Sequence, residues 1–551
     1  MINFKNIFVL SITLLIGIKG FSQNLGTANN ISKVWVADQG NGTYKNPILN
    51  ADYSDPDAVR VGDDFYMVAS SFDAVPGLPI LHSKDLVNWT ILTHALKRQP
   101  PFEHFEKTQH GNGVWAPSIR YHNKEFYIYY PDPDFGIYMT KAKEAIGPWS
   151  DPILVSPGKG LIDPCPLWDD NGQAYLAYAY AGSRAGIKSI IAVKQLSEDG
   201  TKALDQGIIV YDGHELDPTI EGPKLYKRNG YYYIFAPSGG VSTGWQLVLR
   251  SKNIYGPYER KVVMAQGKST VNGPHQGAWV DTQSGEDWFL HFQDKDAYGR
   301  VVHLQPMKWV KDWPVIGVDT DGDGSGDPVM AYKKPNVGKS YPIVTPAESD
   351  EFNDLAPGLQ WQWQANPQAT WSFMDVSKGV LKLYTSQAPQ DAKSLWDVPN
   401  VLMQKTPADE FKATTKLTFN PNIAIQNEKT GLVVMGLSYA SISLKSKEDG
   451  IYLVYSLCEK ADKGAAEKET VITKLKNGTA YLRVSVKAGA KCAFSYSTDG
   501  VKFNNAGPVF QATPGKWIGA KIGLFATRDT QINDSGSADY DWFRIEAIKS
   551  K

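Results

Sequence analysis

Between residues 50 and 315 one short pattern recurs five times, and a chain that repeats itself at this interval can fold in few ways. Each copy opens on an acidic or small residue near a proline, runs into an apolar strand, turns, and returns as an aromatic-rich strand with a third strand behind it. The openings are Ser54-Asp55-Pro56-Asp57, Trp115-Ala116-Pro117, Asp163-Pro164, Glu221-Gly222-Pro223 and Gly277-Ala278-Trp279. The hairpins that follow read VRVGDDFYMVAS, IRYHNKEFYIYY, PLWDDNGQAYLAY, KLYKRNGYYYIFA and VDTQSGEDWFLHF. Their turn signals GD, NK, NG, NG and SG between alternating apolar runs mark β-hairpins. Successive copies start 47 to 61 residues apart, close to a four-stranded propeller blade with its loops. A five-bladed β-propeller over residues 40–318 is the economical architecture. A β-sandwich is the rival, and a solenoid suits so few copies at such long intervals poorly.

The repeat breaks at DTDGDGSGDP and YKKPNVGKSYP, a polar connector over 319–346. From 347 to 551 the chain alternates again, in VLKLYTS, FKATTKLTF, TGLVVMGLS, AYLRVSVKA and AKIGLFATR, and ends in ADYDWFRIEAI, the pattern of a β-sandwich. The whole chain reads as all-β. Its 57 basic and 58 acidic side chains balance to a net charge of −1, without the basic stripe of a nucleic-acid binder. At the N-terminus a short basic start, an apolar run over Ile7 to Ile18 and a small-x-small site at Gly20-Phe21-Ser22 form a cleavable export signal, residues 1–22. That run is too short for a membrane span. The three cysteines, Cys165, Cys458 and Cys492, form no disulfide framework, and at most Cys458 could pair with Cys492.

In a propeller the innermost strand of each blade lines the axis, so residues that open the repeats meet in one funnel although they lie far apart in sequence. Three openings are carboxylates, Asp55, Asp163 and Glu221. Crowded in a partly dry pocket, such groups differ in proton affinity and supply an acid beside a base, the equipment for hydrolysing a glycosidic bond. A single Asp-Pro or Glu-Gly-Pro is an ordinary turn pair; recurrence in register gives these three their weight.

The stretches NPILNADYSDPDAVRVGDDFYMVASS, ILHSKDLVNW, GVWAPSIRYHNKEFYIYY, LIDPCPLWDDNGQAYLAY, EGPKLYKRNGYYYIFAPSGG and NGPHQGAWVDT, with NVLMQK and ADYDWFRI further on, resemble glycoside hydrolase family 43, the exported β-xylosidases and α-L-arabinofuranosidases. The resemblance implies a propeller followed by a concanavalin-like jelly roll, and an inverting, exo-acting enzyme that removes xylose or arabinofuranose from plant cell-wall oligosaccharides or polysaccharides. It implies Asp55 as general base, Glu221 as general acid and Asp163 as the carboxylate that keeps the acid protonated and oriented. Phe72 and Trp115 match apolar faces for the sugar ring, Arg300 a hydroxyl-binding group, and His275 a residue near the axis. Without the family, Phe72 and Trp115 read equally as blade core, Arg300 as a surface ion pair and His275 as a buried histidine.

Three Gly-rich rim loops, 70–79, 181–188 and 238–246, are expected to set substrate preference, with Arg184 and Trp245 gripping the leaving sugar. The resemblance implies no catalytic cofactor. It places structural calcium at His275, as in some relatives, and at Glu351 with Asp541, which match positions that clip the ends of such sandwiches. Asp319-Thr320-Asp321-Gly322-Asp323-Gly324 begins like an EF-hand loop, but its twelfth position is Met330 where a bidentate Glu is needed, so a surface turn is expected. Cys165 reads as packing, since no basic partner is evident beside it. Two other functions fit less well. A retaining fructosidase-like propeller would show NDPNG, RDP and EC at the three carboxylates, and a non-catalytic sugar-binding protein would lack one of them.

Overall fold

The structure, a computed structural model, describes residues 31–548; the expected export signal at 1–22 lies outside them. The five repeats form five separate four-stranded antiparallel sheets, each with its strands paired in chain order. Their inner strands are Asp57–Val61, Ser118–His122, Leu161–Trp168, Lys224–Arg228 and His275–Asp281, for blades I to V. The first hairpin of blade II turns at Asn123-Lys124 (φ 48° and 62°) and that of blade IV at Asn229-Gly230 (φ 50° and 73°), the paired left-handed residues of a turn that matches strand twist. The inner strand of blade I packs on those of blades II and V, which closes the ring. The entering chain completes the closure: Leu49 and Val302 of blade V exchange backbone hydrogen bonds (3.3 and 3.1 Å), and Tyr53 N–H reaches Arg300 O at 3.1 Å.

Among the described residues no ladder joins one blade to the next, so beside isolated backbone contacts such as Ala203 N–H to Val155 O (3.0 Å) it is side chains that hold the blades in register. At the axis, Arg120 of blade II donates from Nη1 to Asp57 Oδ2 of blade I (2.7 Å) and from Nη2 to Cys165 Sγ of blade III (2.7 Å). Cys165 Sγ also accepts Leu225 N–H of blade IV (3.1 Å). The Arg120 guanidinium lies 5.1 Å from the ring centre of Tyr226, whose hydroxyl accepts Trp279 N–H of blade V (3.2 Å). One cation thus touches, directly or through one partner, all five blades. Cys165 does have a basic partner after all: blade II brings Arg120 to it from 45 positions away in sequence.

The connector is bound along its length: Ala331–Lys333 pairs with Thr43–Lys45, and Lys334 Nζ sits 2.5 Å from Asp38 and 2.8 Å from Asp85. The C-terminal unit is a sandwich of two eight-stranded sheets. Leu417, Leu482 and Phe543 of one sheet and Leu432, Ile442 and Leu524 of the other share its buried core. Cys458 and Cys492 lie in different sheets, both free and buried. Sandwich and propeller are joined by backbone. Val75 and Trp363 exchange hydrogen bonds (3.0 and 2.6 Å), and Ala520 N–H reaches Ala297 O (2.7 Å). Gly519 N–H reaches Asp52 Oδ2 (3.0 Å), and His110 stacks on Trp396 at 3.6 Å. These bonds hold the 513–519 loop of the sandwich over the mouth of the funnel. Among the described residues no helix is long and apolar enough to cross a membrane.

Replacing Arg120 by Met strands the fully buried Asp57 without its cation. Removing one partner of a buried ion pair costs about 3–5 kcal/mol, so the variant is expected to lose a large part of its urea resistance; an unchanged midpoint would show that the blades are held by other means.

Candidate active site

The three sequence-marked carboxylates all line one cavity of about 770 Å³ at the funnel mouth, and the local sequence explains how each reaches it. Asp163-Pro164 interrupts the inner strand of blade III: pairing jumps from Ile162↔Ala179 to Cys165↔Ala177. Proline has no N–H for the ladder, so the pair is extruded as a bulge, a device that re-aims side chains. Asp55, also followed by proline, ends the loop before blade I. Both aspartates are left-handed, with φ of 56° and 57°, a backbone that costs a non-glycine residue about 1–3 kcal/mol. The surrounding hydrogen bonds hold them there. Gly222 (φ 58°) is the complementary case, since a Cβ there would stand 2.3 Å from Gln276 Cγ.

Asp55 is buried and accepts hydrogen bonds from Ser54 Oγ and Ser70 Oγ (2.6 Å each) and from Arg300 Nη1 (3.2 Å). This donor set suits a carboxylate. Arg300 lies over Phe292 and lines the cavity; Nη2 has no hydrogen-bond partner among the described residues. Asp163 accepts Gly222 N–H at 2.7 Å. Burial, then the charges of Glu221 and Asp55, push its carboxyl up to about 8, with the Gly222 N–H and Lys224 pulling the other way. Glu221 keeps 37% of its side chain exposed, with Oε1 3.0 Å from His275 Nε2. His275 is buried against Phe292 and does not line the cavity.

Aromatic rings supply the apolar faces. Phe72 (φ 52°) is pinned by backbone hydrogen bonds to Val114, and its ring meets Trp115 edge-on at 6.5 Å. A third ring escaped the sequence reading: Trp517, on the sandwich loop, lines the same cavity half-exposed, 6.1 Å from Trp115. Nothing in PGKWIG marks it, because the loop meets the funnel only through the domain contact. All three rim loops reach the cavity, through Phe72, Lys188 and Val241 among others.

Several expectations are corrected. Arg184 does not line the cavity: it donates to Asn112 (2.7 Å) and Asp134 (3.3 Å) and lies 5.5 Å from the ring centre of Trp115, which it braces. Trp245 is likewise absent from the wall, because its Nε1 donates to Asp217 (3.2 Å) and its ring packs over Gly239. The calcium donors do not assemble. Glu351 is held bidentately by Arg544 (2.7 Å each) and Asp541 by Lys416, so each carboxylate is already neutralised by a cation. His275 spends Nε2 on Glu221 and joins no group of donors among the described residues. Among the described residues the one cluster of three donors is Asp319, Asp321 and Asp323, whose oxygens accept the loop's own N–H groups at Gly322, Gly324 and Ser325.

Residues 44–314 match the profile of Glycosyl hydrolases family 43, and residues 349–546 that of the Beta xylosidase C-terminal Concanavalin A-like domain. A protein of Xylanibacter ruminicola named putative beta-xylosidase is 41% identical, over 90% of this chain and 88% of its own. A beta-xylosidase of Formosa agariphila is 34% identical, over 92% and 91%. A non-reducing end alpha-L-arabinofuranosidase of Bacteroides ovatus is 28% identical, over 92% and 95%. Among solved structures, the chain is similar to a xylan beta-1,4-xylosidase from Bacillus halodurans, with a TM-score of 0.80 and 25% identity over 91% of this chain and 99% of that one.

The raised Asp163 has a consequence for stability. Its folded-state value of about 8 lies above the ordinary 3.8, so between about pH 4 and 8 the unfolded chain gives up a proton that the fold retains, and stability falls as pH rises across that window. Asp163→Asn, which can still accept Gly222 N–H, is expected to unfold at a higher temperature than the parent, the gap widening from pH 4 to 8 and reaching a few kcal/mol. A gap independent of pH would contradict the shift.

Proposed function

The chain belongs to glycosyl hydrolases family 43 and is a glycoside hydrolase, and we propose that it removes single pentose units, β-linked xylose first, from the non-reducing ends of plant cell-wall oligosaccharides such as those of arabinoxylan. The observation that carries this reading is the convergence of Asp55, Asp163 and Glu221 on one cavity walled by Phe72, Trp115 and Trp517. A wall shared between propeller and sandwich suits a pocket for a chain end. Two relatives named as beta-xylosidases favour xylose; the relative named as an arabinofuranosidase supports α-L-arabinofuranose as a second activity.

In this reading Asp55 takes a proton from a water as its oxygen attacks the anomeric carbon. Glu221 gives its proton to the departing glycosidic oxygen as the C–O bond breaks, and the configuration inverts. Ser54, Ser70 and Arg300 fix the base; His275 orients the acid. Asp163 and Glu221 act as a coupled pair that retains a proton at neutral pH, so that Glu221 has one to give. Both proton transfers run through carboxyl groups and need no cofactor. The leader pattern at 1–22 supports export, which would bring the enzyme to a polymeric substrate.

The test is hydrolysis of p-nitrophenyl β-D-xylopyranoside and α-L-arabinofuranoside by the parent and by Glu221→Ala. The xyloside is expected to be cleaved faster, and the variant to lose about 10²–10⁴-fold in kcat/KM on a substrate that needs the acid, such as xylobiose. Retained activity on xylobiose would remove Glu221 from the acid role, and a faster arabinofuranoside would reverse the sugar preference.

A further inference from the structure

Lys224 is a buried cation that the reaction as described does not use. It follows Glu221 by three residues, is 1% exposed, and forms no ion pair among the described residues. Among the described residues its Nζ donates only to neutral oxygens of blade II, Pro117 O (3.0 Å) and Ser118 Oγ (2.8 Å). An ammonium taken out of water onto neutral acceptors alone is strongly disfavoured, so its charge calls for compensation from farther off.

The contacts show where that compensation lies. Gly222 N–H reaches Asp163 Oδ2 (2.7 Å) and Leu225 N–H reaches Cys165 Sγ (3.1 Å), so residues 222–225 run alongside 163–165. Lys224 stands between these two contacts and sends its side chain from blade IV to blade II. The backbone of Lys224 therefore lies beside the strand that carries Asp163, and its positive charge favours the ionised form of that carboxyl. The other charged groups of this layer are already matched: Asp55 with Arg300, Asp57 with Arg120, and Glu221 with the ring nitrogen of His275.

We propose that Lys224 is a positioning residue of the acid, a fixed and deliberately unpaired positive charge that sets how tightly Asp163 and Glu221 hold their shared proton. Facing that pair are Lys224 from blade IV, Asp55 from blade I and His275 from blade V, with Arg120 and Cys165 in the layer at the axis. Of these, Lys224 is the cation without a carboxylate of its own. It favours the ionised pair and so keeps the proton transferable; without it the proton is held more firmly and the acid is weaker. The proposal rests on the reading of Asp163 and Glu221 as the proton-holding pair.

The experiment is the pH dependence of kcat/KM on xylobiose for the parent, Lys224→Gln, Lys224→Met and Asp163→Asn. Gln can donate to the oxygens of Pro117 and Ser118 but carries no charge. Both Lys224 variants are expected to move the alkaline limb upward by about one pH unit, a tenfold change in proton affinity, with a lower plateau rate. Asp163→Asn is expected to move it downward, because loss of the last proton no longer creates two adjacent negative charges. A Lys224→Gln enzyme with the parent's limb would overturn the proposal, as would failure of both Lys224 variants to fold, which would make the residue a brace between blades. If Asp163→Asn leaves the limb in place, the proton-pair reading itself fails; if Asp163→Asn moves it and Lys224→Gln does not, only the role of Lys224 falls.

Discussion

A single guanidinium at the propeller axis is the contact on which the rest of this structure depends. Five four-stranded sheets that share no backbone ladder could slide or splay, and Arg120 ties them by binding Asp57, Cys165 and the face of Tyr226 at once. A largely buried cation with directed donors is satisfied by one arrangement of these partners. Cys165 is two residues from Asp163, and Leu225 four from Glu221. The same network that registers the blades therefore sets the spacing of two of the three carboxyl groups.

Above this layer the molecule works against its own stability. Asp55 and Asp163 occupy left-handed backbone, and Asp163 is buried beside like charge. Each feature is unfavourable alone and persists because the blades around it are rigid. What the strain yields is two carboxyl environments that differ within one cavity: one held by two hydroxyls and an arginine, the other by a single amide and a crowd of negative charge. In the proposed mechanism that difference separates a base from a proton store. The sandwich adds to this by carrying Trp517 to the funnel on a loop anchored through Gly519 and Ala520, so the shape of the cavity depends on how the two units are docked.

How much of this could be read from the chain follows from the range of the interactions. The five blades were legible because a hairpin announces itself locally, in alternation and in turns such as Asn229-Gly230. The carboxylates were legible because each opens a repeat, and topology brings repeat openings together. Arg184 and Trp245 misled because a residue on a rim loop can point either way; Asp217 draws Trp245 in, and Asn112 and Asp134 hold Arg184 behind Trp115. The calcium positions failed for a similar reason, since a carboxylate's partner is a matter of packing, and the partners of Glu351 and Asp541 are Arg544 and Lys416. Trp517 and the Arg120 contacts carried no local signal at all, being products of domain docking and of blade closure.

In the proposed mechanism Asp55 and Glu221 act on opposite sides of the sugar, with a water between base and anomeric carbon. The direct measurement is the anomeric configuration of the first xylose released from a β-xyloside, followed by proton NMR before mutarotation. α-Xylose as the initial product is the expected result. β-Xylose formed first would mean that a carboxylate attacks the sugar itself, and would contradict the assignment of Asp55 as a base.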